Sequence, residues 1–343
     1  MLQRLYAQLP DFARPDNPVM RYVMLQGDRR PSRRTRLLRA GAGFLALIVL
    51  ILFGWQLATN FGATPMTAPN LWDQAFAVLY WPLVIIQVIT GVFAIGSTTG
   101  VVANEVQQGT WDTLKVTTDG ATMSLKSRWA AVFYRLRVLL FLLLAARIFF
   151  ILVALHDLTA FQGNYLNILL SGTTPLGLPQ VSTEASVLAG ILITAMMMTA
   201  CLLAPFTAVA LDAAIGMWAG TYSRGRFTAF LGQLGLLVGR VLITGLALQV
   251  GAAALTLASL APSLSLTLDN HPVLAWFAAL FGVSEGDMGL SLLNLQKVQA
   301  LWANRQYGVL VGIAFLGYTL AQAALANQIV KWAGRRAARA DSL

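Results

Sequence analysis

The sequence predicts an all-α polytopic membrane protein with six transmembrane helices and both termini in the cytoplasm. Of its 343 residues, 57% are hydrophobic and only 11% are charged, whereas soluble domains are about 45–50% apolar and about one quarter charged. Several continuous apolar runs exceed the roughly 20 residues that a helix needs to cross about 30 Å of hydrocarbon. Basic residues collect in every second connection between these runs, and this alternation sets the orientation of the spans.

The apolar runs divide the chain into a tail, a membrane domain and a second tail. Residues 1–38 are a cytoplasmic tail with a predicted interfacial helix, residues 39–330 are the six-helix domain, and residues 331–343 are a basic cytoplasmic tail. The expected spans lie at about 39–58, 73–97, 131–155, 186–212, 229–261 and 306–330.

The charges of the connecting segments give each span a direction. The connections at 59–72 and 156–185 contain no Lys or Arg, and the connection at 262–305 contains one of each. Residues 1–39, by contrast, contain nine arginines. The remaining basic residues beside the spans are Lys115, Lys126, Arg128, Arg224, Arg226, Lys331, Arg335, Arg336 and Arg339. Because cytoplasmic connections are enriched in Lys and Arg, both termini are expected in the cytoplasm.

A short helix is predicted ahead of the first span, in the segment DNPVMRYVMLQGDRR. Asn17 can cap this helix, and Pro18 suits its first position, where a missing N–H costs nothing. Val19, Tyr22 and Val23 would share one face, which describes a helix lying on the inner membrane surface. A disordered basic tail is the alternative.

The connection at 98–128 is polar for almost its whole length, and it faces the cytoplasm in this orientation. Thr110 is a natural N-cap, and Gly109 allows the chain to turn sharply before it. Asp112 then falls in the first turn, where a negative charge meets the positive end of the helix dipole. These positions predict a short cytoplasmic helix.

That helix, at 110–118, is expected to be amphipathic, with Trp111 and Leu114 on one face and Asp112 and Lys115 on another. It would end near Gly120 and lie parallel to the membrane. Two interpretations stay open from the residues alone. The helix is either a binding site for a cytoplasmic partner or a solvated loop helix with no partner.

Residues 105–128 resemble the cytoplasmic loop of ABC-2 type transporter permeases, the membrane subunits of one class of ATP-driven transporter. That loop reads roughly Glu, four residues, Gly-Thr, an acidic residue, Leu, a Thr-Pro step and Gly-Lys at the entry to the next span. The matching residues are Glu105, Gly109, Thr110, Asp112, Leu114 and Thr117, with Arg128 in the Lys position. Thr118 replaces the proline and Ser127 replaces the second glycine.

Two further stretches are similar to the same family. NPVMRYVMLQGDRR resembles the Asn-Pro-Val start of its interfacial helix, and AIGMWAGTYSRGR, at 214–226, resembles its small-residue stretch between spans four and five. The plan of six spans with both ends inside matches over essentially the whole chain.

The resemblance implies that the 110–118 helix is a coupling helix that rests in a groove of a cytoplasmic ATP-binding subunit. The residues it assigns to this contact are Glu105, Gly109, Thr110, Trp111, Asp112 and Leu114. It implies an exporter in the cytoplasmic membrane of a prokaryote, working as a homodimer or heterodimer with a second permease chain. ATP and Mg²⁺ would bind the partner subunit, and this chain would hold no cofactor.

Three charged residues are expected inside the membrane. Arg147 and Arg240 fall well inside spans three and five, and Asp212 lies near the inner end of span four. A mid-span arginine costs roughly 2.5–3.5 kcal/mol on insertion scales, so each should face protein, water or a partner. We favour a structural ion pair for both arginines over a substrate contact, with Asp212 as one possible counter-ion.

The connection at 262–305 contains two apolar stretches, HPVLAWFAALFG and MGLSLLNLQKVQALW. Each is too short to cross a bilayer. They are therefore expected to form short re-entrant helices that dip into the outer leaflet, which is also what the resemblance implies.

No catalytic or metal-binding motif is found in the sequence. A Gly-x-x-x-x-Gly-Lys-Ser/Thr phosphate loop is absent, so this chain is not expected to hydrolyse ATP itself. No Ser-His-Asp, His-Glu-x-x-His or paired-carboxylate pattern occurs among the spans, so no catalytic residue is assigned. One cysteine and two distant histidines offer no metal site. The net charge of +10 lies beside the spans, which indicates contact with membrane lipid and not with nucleic acid.

Two other functions stay open. A non-transporting scaffold or accessory subunit would keep the fold without coupling, and the Thr118 and Ser127 departures support it. A secondary transporter would use acidic residues in mid-span, for which Asp212 is the one candidate in the predicted spans.

Overall fold

The computed structural model describes residues 10–25, 33–61, 71–100, 120–160, 183–222, 226–254, 271–304 and 308–339. These residues form helices and turns, with no strand among them. The helices are α1 (Pro18–Leu25), α2 (Arg33–Phe61), α3 (Leu71–Thr99), α4 (Gly120–Ala160), α5 (Thr183–Gly220), α6 (Arg226–Ala254), α7 (Pro272–Phe281), α8 (Leu295–Asn304) and α9 (Leu310–Arg339). A π-helical turn at Gly282–Gly286 and a 3-10 turn at Leu290–Leu293 connect α7 to α8.

Five helices are long and apolar enough to cross a membrane. They are Asp73–Thr99 in α3, Thr122–His156 in α4, Leu188–Gly220 in α5, Phe227–Ala254 in α6 and Leu310–Ala337 in α9. The first predicted span coincides with α2, but the apolar part of α2 covers only Gly41–Gln56, less than the roughly 20 residues of a full span. The protein is therefore an integral multi-pass membrane protein with five spanning helices among its described residues.

α5 lies at the centre of the bundle and packs against α3, α4 and α9. Its buried face is made of small and flexible side chains: Met197, Ala200, Cys201, Ala204, Ala208, Ala213, Ala214 and Met217. Small residues allow helix backbones to approach closely. A Cβ on Gly216 would lie 2.8 Å from the carbonyl oxygen of Ile95 in α3, so this contact requires glycine.

α1 packs against the start of α4 and not along an open surface. The Oδ1 atom of Asn17 accepts a hydrogen bond from the Val19 N–H at 2.9 Å and so caps the helix. Met20 and Val23 are buried against residues 130–131 of α4. Of the residues expected on one apolar face, Val23 is buried against α4, whereas Tyr22 is 51% exposed and Met20 takes the buried position.

Residues 271–304, between α6 and α9, fold back into the bundle. The two short helices expected there are present as α7 and α8, and their connection is buried at Val283, Met288 and Leu290. The turn after α7 rests on α6, where a Cβ on Gly282 would lie 2.9 Å from the Gly251 nitrogen. The connection thus reaches the interior of the bundle instead of remaining an outer loop.

The helix ends that the charge pattern assigns to the cytoplasm meet at one end of the bundle. Leu125 in α4 and Met217 in α5 share a buried cluster with the last turns of α9 at residues 333–337. A Cβ on Gly220 at the end of α5 would lie 3.1 Å from the carbonyl carbon of Thr99 at the end of α3. The start of α4 and the ends of α3, α5 and α9 are therefore neighbours.

Candidate functional site: a buried polar network between the long helices

The structure brings Arg240 of α6 and Asp212 of α5 together in the bundle interior. The Arg240 Nε lies 3.1 Å from the Asp212 Oδ2. The Arg240 Nη1 also donates to the Oε2 of Glu285, in the π-helical turn. The three side chains are only 10%, 6% and 14% exposed, in the order Arg240, Asp212 and Glu285. One guanidinium is thus shared by two buried carboxylates.

Sequence reasoning missed Glu285 because it was counted within an outer connection. Its three turn neighbours, Gly282, Val283 and Ser284, are buried, and this burial carries Glu285 inwards to Arg240. A possible signal in the sequence is an acidic residue directly after an apolar stretch that is too short to span.

α9 completes the network around Glu285. The hydroxyl of Tyr318 donates to Glu285 Oε1, and the Gln322 Nε2 lies 3.3 Å from the same oxygen. The hydroxyl of Thr207, on α5, donates to the Gln322 Oε1 at 2.9 Å. Helices α5, α6 and α9 and the turn after α7 are therefore joined by one set of polar contacts.

Arg147 of α4 occupies a separate and fully buried position. Its Nη1 donates to the carbonyl oxygens of Cys201 and of Met288, the latter at 2.7 Å, and its Nη2 lies 3.4 Å from the Asp287 carbonyl oxygen. The expectation of an ion pair with Asp212 is therefore wrong for Arg147. Asp212 lies eleven residues beyond Cys201 on α5, a rise of roughly 16 Å, which is too far for the guanidinium to reach.

Two of the three carbonyls that Arg147 binds, those of Asp287 and Met288, belong to an unusual turn. Met288 and Gly289 have φ angles of 52° and 82°, and the left-handed region is costly for a residue with a side chain. The Sγ of Cys201 lies 3.1 Å from the Gly289 carbonyl oxygen. Arg147 and Cys201 thus hold this turn from two sides.

The carboxylate of Asp287 is held by three donors. The Tyr80 hydroxyl and the Ser291 N–H each lie 3.0 Å from Oδ2, and the Gly289 N–H lies 3.1 Å from Oδ1. Lys297 places its Nζ 4.5 Å from the centre of the Tyr80 ring, a cation–π geometry.

Burial has opposite effects on the two charged groups beside Tyr80. It raises the pKa of the Asp287 carboxyl, although the hydrogen bond from Ser291 and the charge of Lys297 act in the other direction. Burial lowers the pKa of the Lys297 ammonium, and the charge of Asp287 opposes this effect. The charge of each group thus offsets part of the effect of burial on the pKa of the other.

The residues predicted to couple to a partner lie outside the described part of the chain. They are Glu105, Gly109, Thr110, Trp111, Asp112 and Leu114, all within the 101–119 segment. The residues that flank this segment are described. Thr99 packs beside Gly220 at the end of α5, and Thr122 lies beside Gly334 of α9.

These features define a multi-pass helical membrane protein with a polar network buried in its bundle. No protein-family model, curated protein or solved structure matches this chain. Among the described residues, no three His, Cys, Asp or Glu side chains gather into a group that could hold a metal ion.

Proposed function

We propose that this chain is the permease subunit of an ATP-driven transporter of the ABC-2 type. It would export its substrate and work with a separate cytoplasmic ATP-binding subunit and a second permease chain. The proposal rests first on the sequence of the 105–128 segment and on its place between the second and third long helices of the chain.

The observation that carries the proposal is the meeting of helix ends beside that segment. The residues before and after it, Thr99 and Thr122, both contact helix ends at the same end of the bundle, near Gly220 and Gly334. Arg335 and Arg336, near the end of α9, lie at this same end of the bundle, and Arg336 stacks on Tyr222 at 3.5 Å from the ring centre. A basic end indicates the cytoplasmic side. The 101–119 segment would therefore emerge on the side where an ATP-binding subunit binds.

In this proposal α2 supplies the sixth span. Its apolar part, Gly41–Gln56, is preceded by residues 33–39, four of which are arginines, and this part of α2 would lie in the headgroup region. Because it packs on α3, where a Cβ on Gly54 would lie 2.7 Å from the Pro82 ring, it would cross beside the bundle. Both termini would then be cytoplasmic.

ATP binding would act through the 110–118 helix. Closure of two ATP-binding subunits would push this helix towards the bundle and change the angle between α3 and α4, which flank it. A path between two permease chains would open alternately to the two sides. ATP and Mg²⁺ would remain on the partner subunit.

A secondary transporter is the second candidate, and one observation favours it. Glu285 joins Asp212 on the same buried Arg240, so the bundle interior holds more acidic side chains than the predicted spans alone contain. Intramembrane carboxylates often mark proton or ion pathways. A non-transporting scaffold is the third candidate, supported by the Thr118 and Ser127 departures.

A cross-linking experiment tests the permease proposal. Leu114 is replaced by a photo-cross-linking amino acid in the full-length chain, in its native membrane, and the captured protein is identified. We expect a soluble subunit with a Gly-x-x-x-x-Gly-Lys-Ser/Thr motif. The same amino acid at Gly177, on the opposite predicted side, is the matched control and should capture no such protein. Capture from Gly177, or none from Leu114, would contradict the proposal.

A further inference from the structure

The contacts around Arg240 leave an excess of one negative charge among the three side chains of this cluster. Arg240 contributes one positive charge, while Asp212 and Glu285 contribute two negative charges when both are ionised. Two carboxylates that share one site favour the protonation of one of them. The other charged groups of the interior form a separate set, in which Asp287 faces Tyr80, Lys297 and Arg147.

The hydrogen bonds distinguish the two carboxylates. Glu285 accepts hydrogen bonds from Arg240, Tyr318 and Gln322. Donors of this kind stabilise the ionised form of a carboxyl group. Glu285 is therefore the better hydrogen-bonded of the two carboxylates that contact Arg240.

Asp212 has a poorer environment for a negative charge. Its Oδ2 lies 3.1 Å from the Arg240 Nε in an ion pair, but apart from this contact the buried oxygen has no hydrogen-bond partner among the described residues. On its other side Oδ2 faces α3, where a Cβ on Gly91 would lie 2.6 Å away. The oxygen is thus enclosed by backbone, and a buried charge without hydrogen bonds is costly.

We propose that Asp212 is a proton-binding site that stays occupied at neutral pH, with Arg240 and Glu285 forming the ion pair beside it. The neutral carboxyl removes the excess negative charge, and no larger ligand is needed. This inference goes beyond the proposed function, since it holds whichever partner drives the protein.

Glu285 lies in the turn after α7, and this turn holds its carboxylate against Arg240. The protonation of Asp212 therefore depends on that contact.

The experiment measures the infrared C=O stretch of protonated carboxylic acids in the full-length protein, reconstituted in lipid nanodiscs, as the pH is varied. We expect such a signal from Asp212 at pH ~7, and its loss in a variant, not its being a single signal, assigns it to this residue. Asp212→Asn should abolish this signal. Asp11→Asn, at an exposed residue, is the control and should leave it unchanged.

Glu285→Gln provides the second arm. With the competing carboxylate removed, Asp212 should pair with Arg240, and its signal should fade at a pH lower by at least about one unit. A signal that Glu285→Gln removes and Asp212→Asn leaves intact would overturn the assignment. The absence of any signal at pH ~7 that Asp212→Asn removes would overturn it as well.

Protein stability gives an independent outcome. Asn is nearly the same size as protonated Asp, so Asp212→Asn should keep the melting temperature of the unaltered protein. The double change Asp212→Asn with Glu285→Gln leaves Arg240 buried without a counter-ion and should lower it. If Asp212→Asn alone fails to fold or melts as early as the double variant, Asp212 is ionised in the native protein and the proposal is wrong.

Discussion

The contact between Gly282 and Gly251 makes a sharp prediction about the turn that carries Glu285. Here the π-helical turn rests directly on the backbone of α6. A Cβ added to Gly282 would lie 2.9 Å from the Gly251 nitrogen and 3.1 Å from the Ala247 carbonyl oxygen. Both atoms belong to a helix backbone and cannot rotate away. Gly282→Ala must therefore displace the turn itself.

The size of the effect follows from these distances. Ordinary contacts of this kind lie at about 3.5 Å or more, so the turn must move by roughly 0.6 Å or more. Overpacking in a filled core costs typically 1–3 kcal/mol. We expect Gly282→Ala to lower the free energy of unfolding by roughly 2–3 kcal/mol, because rigid atoms lie on the other side of the contact.

Gly317→Ala is the matched control. Gly317 lies within α9, and a Cβ there would meet nothing within 4 Å. The same change of residue should therefore raise the free energy of unfolding by roughly 0.5–1 kcal/mol, through the lower backbone entropy of Ala in a helix. The assay is unfolding by SDS in mixed micelles, followed by tryptophan fluorescence. Equal stability of Gly282→Ala and the unaltered protein would refute the contact.

Three further predictions concern buried charge and orientation. Arg147→Met should lower the free energy of unfolding by about 1–3 kcal/mol, the cost of leaving buried carbonyl oxygens without their donor, and unfolding in mixed micelles checks it. Arg240→Leu should cost more, about 3–5 kcal/mol, because it leaves a buried carboxylate without its partner. Arg137→Leu, at an exposed position on α4, should change stability little; equal effects of the Arg240 and Arg137 changes would show that Arg240 is not held by its carboxylates. In a cysteine-free background, His271→Cys should react with an impermeant thiol reagent from outside, and Tyr222→Cys only after the membrane is permeabilised. Labelling of both from the same side would contradict the proposed orientation.

Much of the architecture could be predicted because the lipid constrains it. Apolar runs of about 20 residues have few alternatives to a spanning helix, and the five spanning helices fall on predicted runs. The pairing of Arg240 with Asp212 could also be anticipated, since a buried arginine needs a partner. The first span is harder to predict from the sequence, because the strongly apolar part of α2 covers only Gly41–Gln56.

The positions of Glu285, of the Arg147 contacts and of the buried face of α1 depend on tertiary contacts, which leave no periodic pattern in the sequence. The inward path of Glu285 follows from a glycine contact between α6 and the turn, and nothing in the local sequence pairs those two glycines. The partners of Arg147 are backbone carbonyls of α5 and of the turn at 287–288, which any residue type could supply. The buried face of α1 was decided by α4, since an eight-residue helix with apolar residues on two sides can bury either Met20 or Tyr22.

The ATPase activity of the complex isolated through the full-length chain is the most direct test of coupling to an ATP-binding subunit. The proposed anchors are Trp111 and Leu114, and truncating a buried anchor commonly costs about 2 kcal/mol or more, roughly thirtyfold in affinity. We expect an ATP-hydrolysing subunit to co-purify with the chain from its native membrane. Trp111→Ala with Leu114→Ala should release this subunit, while Lys115→Ala should retain it. Isolation of the unaltered chain without any ATP-hydrolysing subunit would contradict the proposed coupling.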